Sequence, residues 1–380
     1  MGSVRGICQE LIVVDTGSTD NTTARAHELG ATVHSFEWID DFAEARNFGL
    51  SLLTGEWVLM LDADEYLLPD AIPDIKELTK NPDLLVINLL RREIGAVQSP
   101  WSLVSRLFRR NPALKFERPY HAMIDDSVER LLLNEPHWQI HDLSTPAIAH
   151  DGYRPEEIAA QNKATRARRA MERYHAEHPN DPYVCSKLGA LLQSLGETNE
   201  AETLLLTGLQ SVDDSPSSAH LRHELHYHLG LLHRSRNEND KARRHYLDAL
   251  KQDLDPRLTI GAAFNLAAMD QQDGQLDSAI RGFKHVVKIV PDLALAHSNL
   301  GMAYRAKGLN RRAKSHYHQA LEIDPNHADT YRNLGVLYMS ERRTTKATDY
   351  FRKALECYDR QAPDQATAFR TALAEAGVNV

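Results

Sequence analysis

Cysteine is scarce in this sequence. Cys8, Cys185 and Cys357 are odd in number, widely separated, and form no CxxC pair. That excludes a disulfide framework and a cysteine zinc site, and it gives a reducing, cytoplasmic setting as the expectation. Long apolar runs are missing too. None approaches the roughly 18 residues that a membrane helix needs, so no transmembrane segment is expected. The first residues lack the charged-then-apolar layout of a secretion signal. Basic charge is short in residues 1–150, where 13 Lys and Arg face 23 Asp and Glu, whereas residues 151–380 carry 31 against 30. Neither part has the basic stripe of a nucleic-acid binder, so no nucleic-acid partner is expected. An acidic first part suits a site that holds a cation, although a solvated acidic surface explains it as well.

What is present is enough for a core. The 380 residues are 42% apolar and 26% charged, with room for two domains. The second part is an array of repeats. Leu188-Gly189, Leu229-Gly230, Leu266-Ala267, Leu300-Gly301 and Leu334-Gly335 each open a helical run. Twelve residues after each pair comes Ala201, Ala242, Ala279, Ala313 or Ala347, and four further on Leu205, Tyr246, Phe283, Tyr317 or Phe351. Gly196, Gly274 and Gly308 mark turns, and Pro291 and Pro325 close two units. These residues resemble the tetratricopeptide repeat, in which small residues let two helices approach and a large apolar residue fills the gap. The last helix, "DQATAFRTALAEAG", reads as an amphipathic cap ending at Gly377. The many His and Tyr residues in the array read as helix surface rather than metal ligands.

The first part alternates strands and helices. "ELIVVD" is a β-branched run that feeds the turn "TGSTDNT", and "ATVHSFEW", "EWVLMLDAD" and "DLLVINLL" are further strands. "NTTARAHELG" and "IDDFAEARNFGLSLLTG" are helices with glycine stops. This alternation predicts a mostly parallel sheet covered on both faces, with ligands beyond the carboxyl ends of the strands. If the two acidic turns, Asp15 to Asp20 and Asp62 to Glu65, follow neighbouring strands, Asp15 and Asp64 line one crevice.

"VVDTGSTDNT", "WIDDFAEARNFGL" and "GEWVLMLDADEYL", in that order, resemble the nucleotide-sugar domain of family 2 glycosyltransferases with the GT-A fold. "SRLFRRNPALKFERPYHAMID" and "IAHDGYRPEEIAAQNKATRARRAMERY" resemble a branch in which tetratricopeptide repeats follow that domain. The order of several motifs carries this, because a lone Asp-x-Asp recurs at Asp253-Leu254-Asp255 with no strand before it. The fold class expected is an α/β, GT-A-like (Rossmann-type) domain followed by an all-α tetratricopeptide solenoid. Expected boundaries are 1–153 for the first domain, 154–180 for a connecting helix, 181–362 for about five repeats, and 363–380 for a capping helix and tail.

The resemblance implies a metal-dependent, inverting transfer of sugar from a nucleoside-diphosphate sugar to a protein, peptide or glycan acceptor, with a protein partner on the repeats. Asp64 is the expected ligand of Mg²⁺ or Mn²⁺, with Asp62 on the ribose, a metal-bound water or the metal, and His150 a late metal or diphosphate contact. Asp15, Gly17, Ser18, Asp20 and Arg46 fall on the nucleotide-sugar positions. Relatives read His-Glu where this chain has His121-Ala122, which leaves Asp125 or Asp126 as the base and His121 for phosphate or acceptor. Plainer roles stand beside each of these. Asp15, Asp20, Asp125 and Asp126 suit helix caps, Arg46 a surface ion pair, and His150 a core position. Glu65 suits a turn or cap, Arg106, Arg109 and Arg110 could face the diphosphate but better suit a solvated edge, and Trp38, Trp57 and Trp101 suit packing, with Trp101 a weaker candidate for stacking on sugar. The strand that precedes "SVRGICQELIVVD" in the family is expected to be missing, and with Ala122 this supports an alternative, a non-catalytic repeat scaffold. Nucleotidyl transfer fits less well, because no Gly-rich, Lys-containing loop is present.

Overall fold

A computed structural model describes residues 1–96, 98–151 and 161–379. Strand β1 (Ile12–Asp15) runs through helix α1 (Thr22–Glu28) to β2 (Thr32–Ser35), and the two strands pair in parallel as a two-stranded sheet. Gly30, at φ +84°, makes the tight exit from α1 that a side chain would strain. Helix α2 (Phe42–Leu52) starts where the Asp41 carboxylate accepts from the Ala43 and Glu44 N–H groups. It packs Gly49 on Val14, where an added Cβ would lie 3.1 Å from that side chain.

A separate five-stranded sheet has the order β3-β6-β5-β7-β4. Its strands are β3 (Trp57–Leu59), β4 (Glu65–Leu67), β5 (Leu84–Glu93), β6 (Trp101–Arg109) and β7 (Gln139–His150). Only β5 and β7 run parallel; the pairs β3–β6, β5–β6 and β4–β7 are antiparallel. The mostly parallel sheet expected from the sequence is therefore corrected to a mixed one. Strands β6 and β7 hide in segments that read as site motifs, and antiparallel strands need no helix between them. Strands β1 and β3 do not pair with each other.

The sheet is buried on both sides, which is why β5 reads as an unbroken apolar run. Ile87, Leu89, Leu107 and Ile148 join Leu67, Ala71 and Ile75 near helix α3 (Ile72–Leu78) in one core. Val86, Phe108, Phe116 and Val58 pack with Ile124, Val128 and Leu131 from helix α4 (Asp125–Asn134) in the other.

Helix α5 (Gln161–Glu177) leads to five helix pairs. They are α6 (Pro182–Ser194) and α7 (Thr198–Ser211), α8 (Ala219–Ser235) and α9 (Asn239–Leu250), and α10 (Ile260–Gln272) and α11 (Leu276–Ile289). Then follow α12 (Ala294–Ala306) and α13 (Asn310–Ile323), α14 (Ala328–Ser340) and α15 (Thr344–Gln361), and the last helix, α16 (Pro363–Glu375). The chain divides into two compact units between Leu232 and His233.

Within the second unit the repeat pattern does what its chemistry implies. Ala279, Phe283, Ala313 and Tyr317 are fully buried, and a Cβ built on Gly335 would clash with the Phe351 ring. Gly335→Ala is expected to destabilise the array by about 1–3 kcal/mol despite alanine's better helix propensity. Urea unfolding followed by helical circular dichroism measures this.

Candidate functional site

The run "VLMLDADEYL" carries its apolar residues into the sheet and then turns. Met60 N–H donates to the Arg106 carbonyl, and Glu65 N–H closes the turn on the Asp62 carbonyl at 3.0 Å. Strand register then decides what the acidic residues meet, since β4 and β5 each set a glutamate, Glu65 and Glu93, opposite His150 of β7.

The result is a chain of alternating charges. Asp62 Oδ1 accepts from Arg46 and Oδ2 from Arg106, both at 2.6 Å. Burial would raise its pKa, but Arg106 and Arg46 outweigh that and hold it well below the usual carboxylate range. Glu65 is buried, accepts from the Asp62 N–H at 2.9 Å, and pairs with Arg91 at 2.6 Å and Arg106 at 3.5 Å. This corrects the reading of Glu65 as a mere turn residue, and of Arg106 as a solvated edge. Arg91 also pairs with Glu93, which accepts from the Ser102 hydroxyl. His150 joins Glu93 through Nδ1 at 2.6 Å and Asp64 through Nε2 at 3.3 Å. Those two hydrogen bonds push its pKa up to about 9. One atom in this network is unmatched: Arg106 Nη1 is buried without a partner.

The donor set tests a cation. Among the described residues no group of three or more His, Cys, Asp or Glu side chains is placed to hold a metal ion. Asp62 has both oxygens on guanidinium groups. Asp64, half-buried, and His150 remain at the rim. The Asp64 carboxylate suits a hard cation such as Mg²⁺ or Mn²⁺ when phosphate oxygens and water complete the coordination, whereas His150, with both ring nitrogens on carboxylates, would have to release a proton to join it.

The other expected residues are placed as follows. Asp15 accepts from the Ser18 N–H at 3.2 Å, Gly17 sits at φ +108°, and Asp20 accepts from the Thr22 N–H at 2.9 Å. These four shape the turn into α1, and no strand pairing joins them to the Asp64 network. Arg109 donates to the Leu84 and Asn81 carbonyls and lies over the Trp57 ring, and Arg110 donates to the Gly55 carbonyl. Asp255 pairs with its neighbour Arg257, which leaves the second Asp-x-Asp a loop feature.

Arg46 links the network to a second cluster by donating to the Ala122 carbonyl at 2.6 Å. Beside Ala122, Arg118 and His121 hold positive φ of 72° and 53°, a backbone state that side chains rarely adopt. Arg118 grips both oxygens of Asp126 in the first turn of α4, and it also pairs with Asp181, the N-cap of α6. Asp125 accepts from the Ser105 hydroxyl at 2.9 Å through Oδ1, while its Oδ2 is buried without a partner. Burial raises its pKa. His121 keeps access to solvent, yet crowding by protein and the nearby Lys187 push its pKa down to about 3.

His220, at the start of α8, is likewise pushed down by burial, to about 4 from 6.5. Such a histidine is neutral in the fold and takes up a proton when unfolded, so stability is full above pH 6.5 and is lost as pH falls toward 4. His220→Gln is expected to recover on the order of 1 kcal/mol of the loss between pH 7 and pH 5, read from unfolding at the two pH values.

The carboxylate-rich turn lies beyond a strand and is set against buried arginines on a mixed α/β sheet. The Glycosyl transferase family 2 profile matches residues 8–140, and Tetratricopeptide repeat profiles match 159–225 and 292–360. A TPR repeat-containing protein of Synechococcus elongatus is 40% identical over 77% of this chain and 72% of its own length. The SPbeta prophage-derived glycosyltransferase SunS of Bacillus subtilis is 25% identical over 53% of this chain and 47% of its own. An uncharacterised glycosyltransferase of Rickettsia conorii is 41% identical over 20% and 27%. The chain belongs to the family 2 glycosyltransferases, in a form that carries tetratricopeptide repeats. It spans less than half of the length of the two relatives named as glycosyltransferases. No helix among the described residues is long and apolar enough to cross a membrane.

Proposed function

We propose that the chain transfers a sugar, with inversion, from a nucleoside-diphosphate sugar to an acceptor hydroxyl. The observation that carries this reading is the pair of unmatched polar atoms, Arg106 Nη1 in the Asp62–Asp64 network and Asp125 Oδ2 in the linked cluster. A buried polar atom without a protein partner is costly, and a water or a ligand oxygen would satisfy it. Arg106 Nη1 suits a diphosphate oxygen, with Asp62 held by Arg46 for the nucleoside. Asp64 and His150 would hold Mg²⁺ or Mn²⁺, with Glu93 fixing the imidazole through Nδ1. When bound, the ion neutralises charge on the leaving diphosphate.

Asp125 is the better base. Asp126 has both oxygens on Arg118, whereas Asp125 has one free oxygen and a raised pKa. The acceptor hydroxyl loses its proton to Asp125, its oxygen bonds to the anomeric carbon, and the bond from that carbon to the diphosphate breaks. Release of nucleoside diphosphate by the purified chain, over a panel of nucleotide sugars with Mn²⁺ or Mg²⁺, tests the reading. Neither binding nor turnover across the panel would disprove it.

A scaffold without catalysis is the second reading. The separation of β1 and β2 from the five-stranded sheet favours it, because the nucleoside positions Asp15 to Asp20 are then not tied to Asp64. Protein partners on the repeats fit either reading.

A further inference from the structure

Helix α4 starts without a capping side chain, since Ile124 stands at its N-cap position. Its first turn is fixed from outside instead. Asp125 Oδ1 accepts from the Ser105 hydroxyl at 2.9 Å, and the Ser127 hydroxyl oxygen accepts from the Lys115 N–H at 3.1 Å. Arg118 holds both oxygens of Asp126. The first repeat anchors Arg118 from its other side. Asp181 Oδ2 accepts from Arg118 Nη2 at 3.0 Å, and the guanidinium lies 4.8 Å over the Tyr183 ring. Asp181 divides its oxygens, because Oδ1 caps α6 at the Val184 N–H, 3.0 Å away. With only 9% and 14% of the Arg118 and Asp181 side chains exposed, water screens this pair little. Arg118 also holds a φ of +72°, a backbone state that persists where surrounding contacts over-determine it.

We propose that the first repeat is part of the transferase site and that Arg118 is a positioning residue: clamped by Asp181 of α6, it occupies Asp126 and leaves Asp125 to act as the base. This rests on the reading of the chain as a glycosyltransferase. Two carboxylates in succession at a helix start oppose each other's ionisation. Arg118 answers this by neutralising one of them. Asp126 raises the pKa of Asp125, and Arg118 lowers it. The other charged or titratable groups that face Asp125 are Glu129 one turn on in α4, Tyr183 of α6, and Asp142 of β7, reached through Asn88 and Ser105. In that set Arg118 is the cation. The second anchor matters because the Asp126 side chain is 30% exposed. Asp126 alone would let the guanidinium swing into water; the buried Asp181 carboxylate and the Tyr183 ring keep it in place.

Three variants of the full-length protein test the clamp. In Asp181→Asn the helix cap survives, because asparagine caps as well as aspartate, but the charge is gone and an amide N–H₂ faces Arg118. Its kcat is expected to fall roughly threefold or more, with KM for the nucleotide sugar about unchanged, since the Asp62–Asp64 network is untouched. Arg118→Gln is expected to lower kcat roughly tenfold or more and to move the acid limb of the pH profile to higher pH, because Asp125 then ionises beside an uncompensated Asp126. Arg118→Lys keeps the charge without the fork, so it should restore the acid limb and part of kcat. A contact that only holds the fold would lower the melting temperature and leave the acid limb where it is. The Asp125 carboxyl carbon signal, titrated by NMR in the same proteins, is a second readout that needs no donor. The proposal is overturned if Arg118→Gln keeps the kcat and acid limb of the wild type, or if the Asp125 signal titrates alike in both. If Arg118→Gln fails to fold, wild-type kcat in Asp181→Asn overturns it. No turnover by the wild type, with the Asp125 titration still moved in Arg118→Gln, would count against the transferase reading alone. Turnover that these variants leave unchanged would count against the clamp alone.

Discussion

Asp64→Ala is expected to lower nucleotide-sugar turnover on the order of 100-fold or more, the usual loss when one electrostatic partner of a developing charge is removed. Asp64 is the residue of the turn that combines a solvent-reaching carboxylate with a histidine partner at 3.3 Å, and its removal leaves the buried ion pairs of Asp62 and Glu65 in place. The fold should therefore survive, and nucleoside-diphosphate release with unchanged circular dichroism is the measurement. Activity within threefold of the wild type would place the cation elsewhere. Asp64→Asn separates charge from shape: it keeps a carbonyl oxygen and loses the negative charge that a hard cation prefers.

Glu65→Leu carries the largest expected effect on stability, about 3 kcal/mol. The Glu65 side chain is fully buried and answers three groups at once: the Asp62 N–H, Arg91 and Arg106. Leucine fills the space and leaves those donors short of a partner, although Arg91 keeps Glu93 and Arg106 keeps Asp62. Glu65→Gln retains an acceptor for the Asp62 N–H and is expected to lose only about 1–2 kcal/mol. Urea unfolding of the two variants gives the difference. Equal stability of Glu65→Leu and wild type would mean that the charge chain around Asp62 contributes little to the fold.

The repeat array was legible almost residue by residue, because each repeat packs mainly against its neighbours and its contacts recur at short, regular spacing. Gly301 against Tyr317 and Gly335 against Phe351 are the close approaches that the small-then-aromatic pattern implies. The helix starts at Asp41 and Asp181 are local too, since a capping carboxylate reaches only two or three residues ahead. In the first domain, strand and helix alternation was legible, and so was the acidic turn. The direction of the strands was not. Strands β6 and β7 carry arginines and histidines that drew attention as site residues, and only pairing with β5 shows that they complete a mixed sheet.

The site divides in the same way. The carboxylates Asp62 and Asp64 stand out in the sequence because acidic residues at the end of an apolar run are unusual, and Asp125 and Asp126 because they follow His121-Ala122, where the resemblance expects a carboxylate. Their partners do not, since Arg91 lies 26 residues from Glu65, Arg106 44 from Asp62, and His150 86 from Asp64. A weak signal for Glu65 was available in its direct succession to Asp64.

The sequence by itself determined the two-part architecture, the five repeats, and the presence of an acidic turn beyond a strand, because these depend on periodicity and on residues close along the chain. Only the tertiary structure decided that Asp62 is neutralised by Arg46 and Arg106, and that Arg118 takes both oxygens of Asp126 while one of Asp125 is left without a partner. The partners of Asp62 lie 16 and 44 residues away, and Arg118 reaches Asp126 from eight residues before it. Strand register and the docking of helices set which charges meet, and no spacing along the chain encodes it.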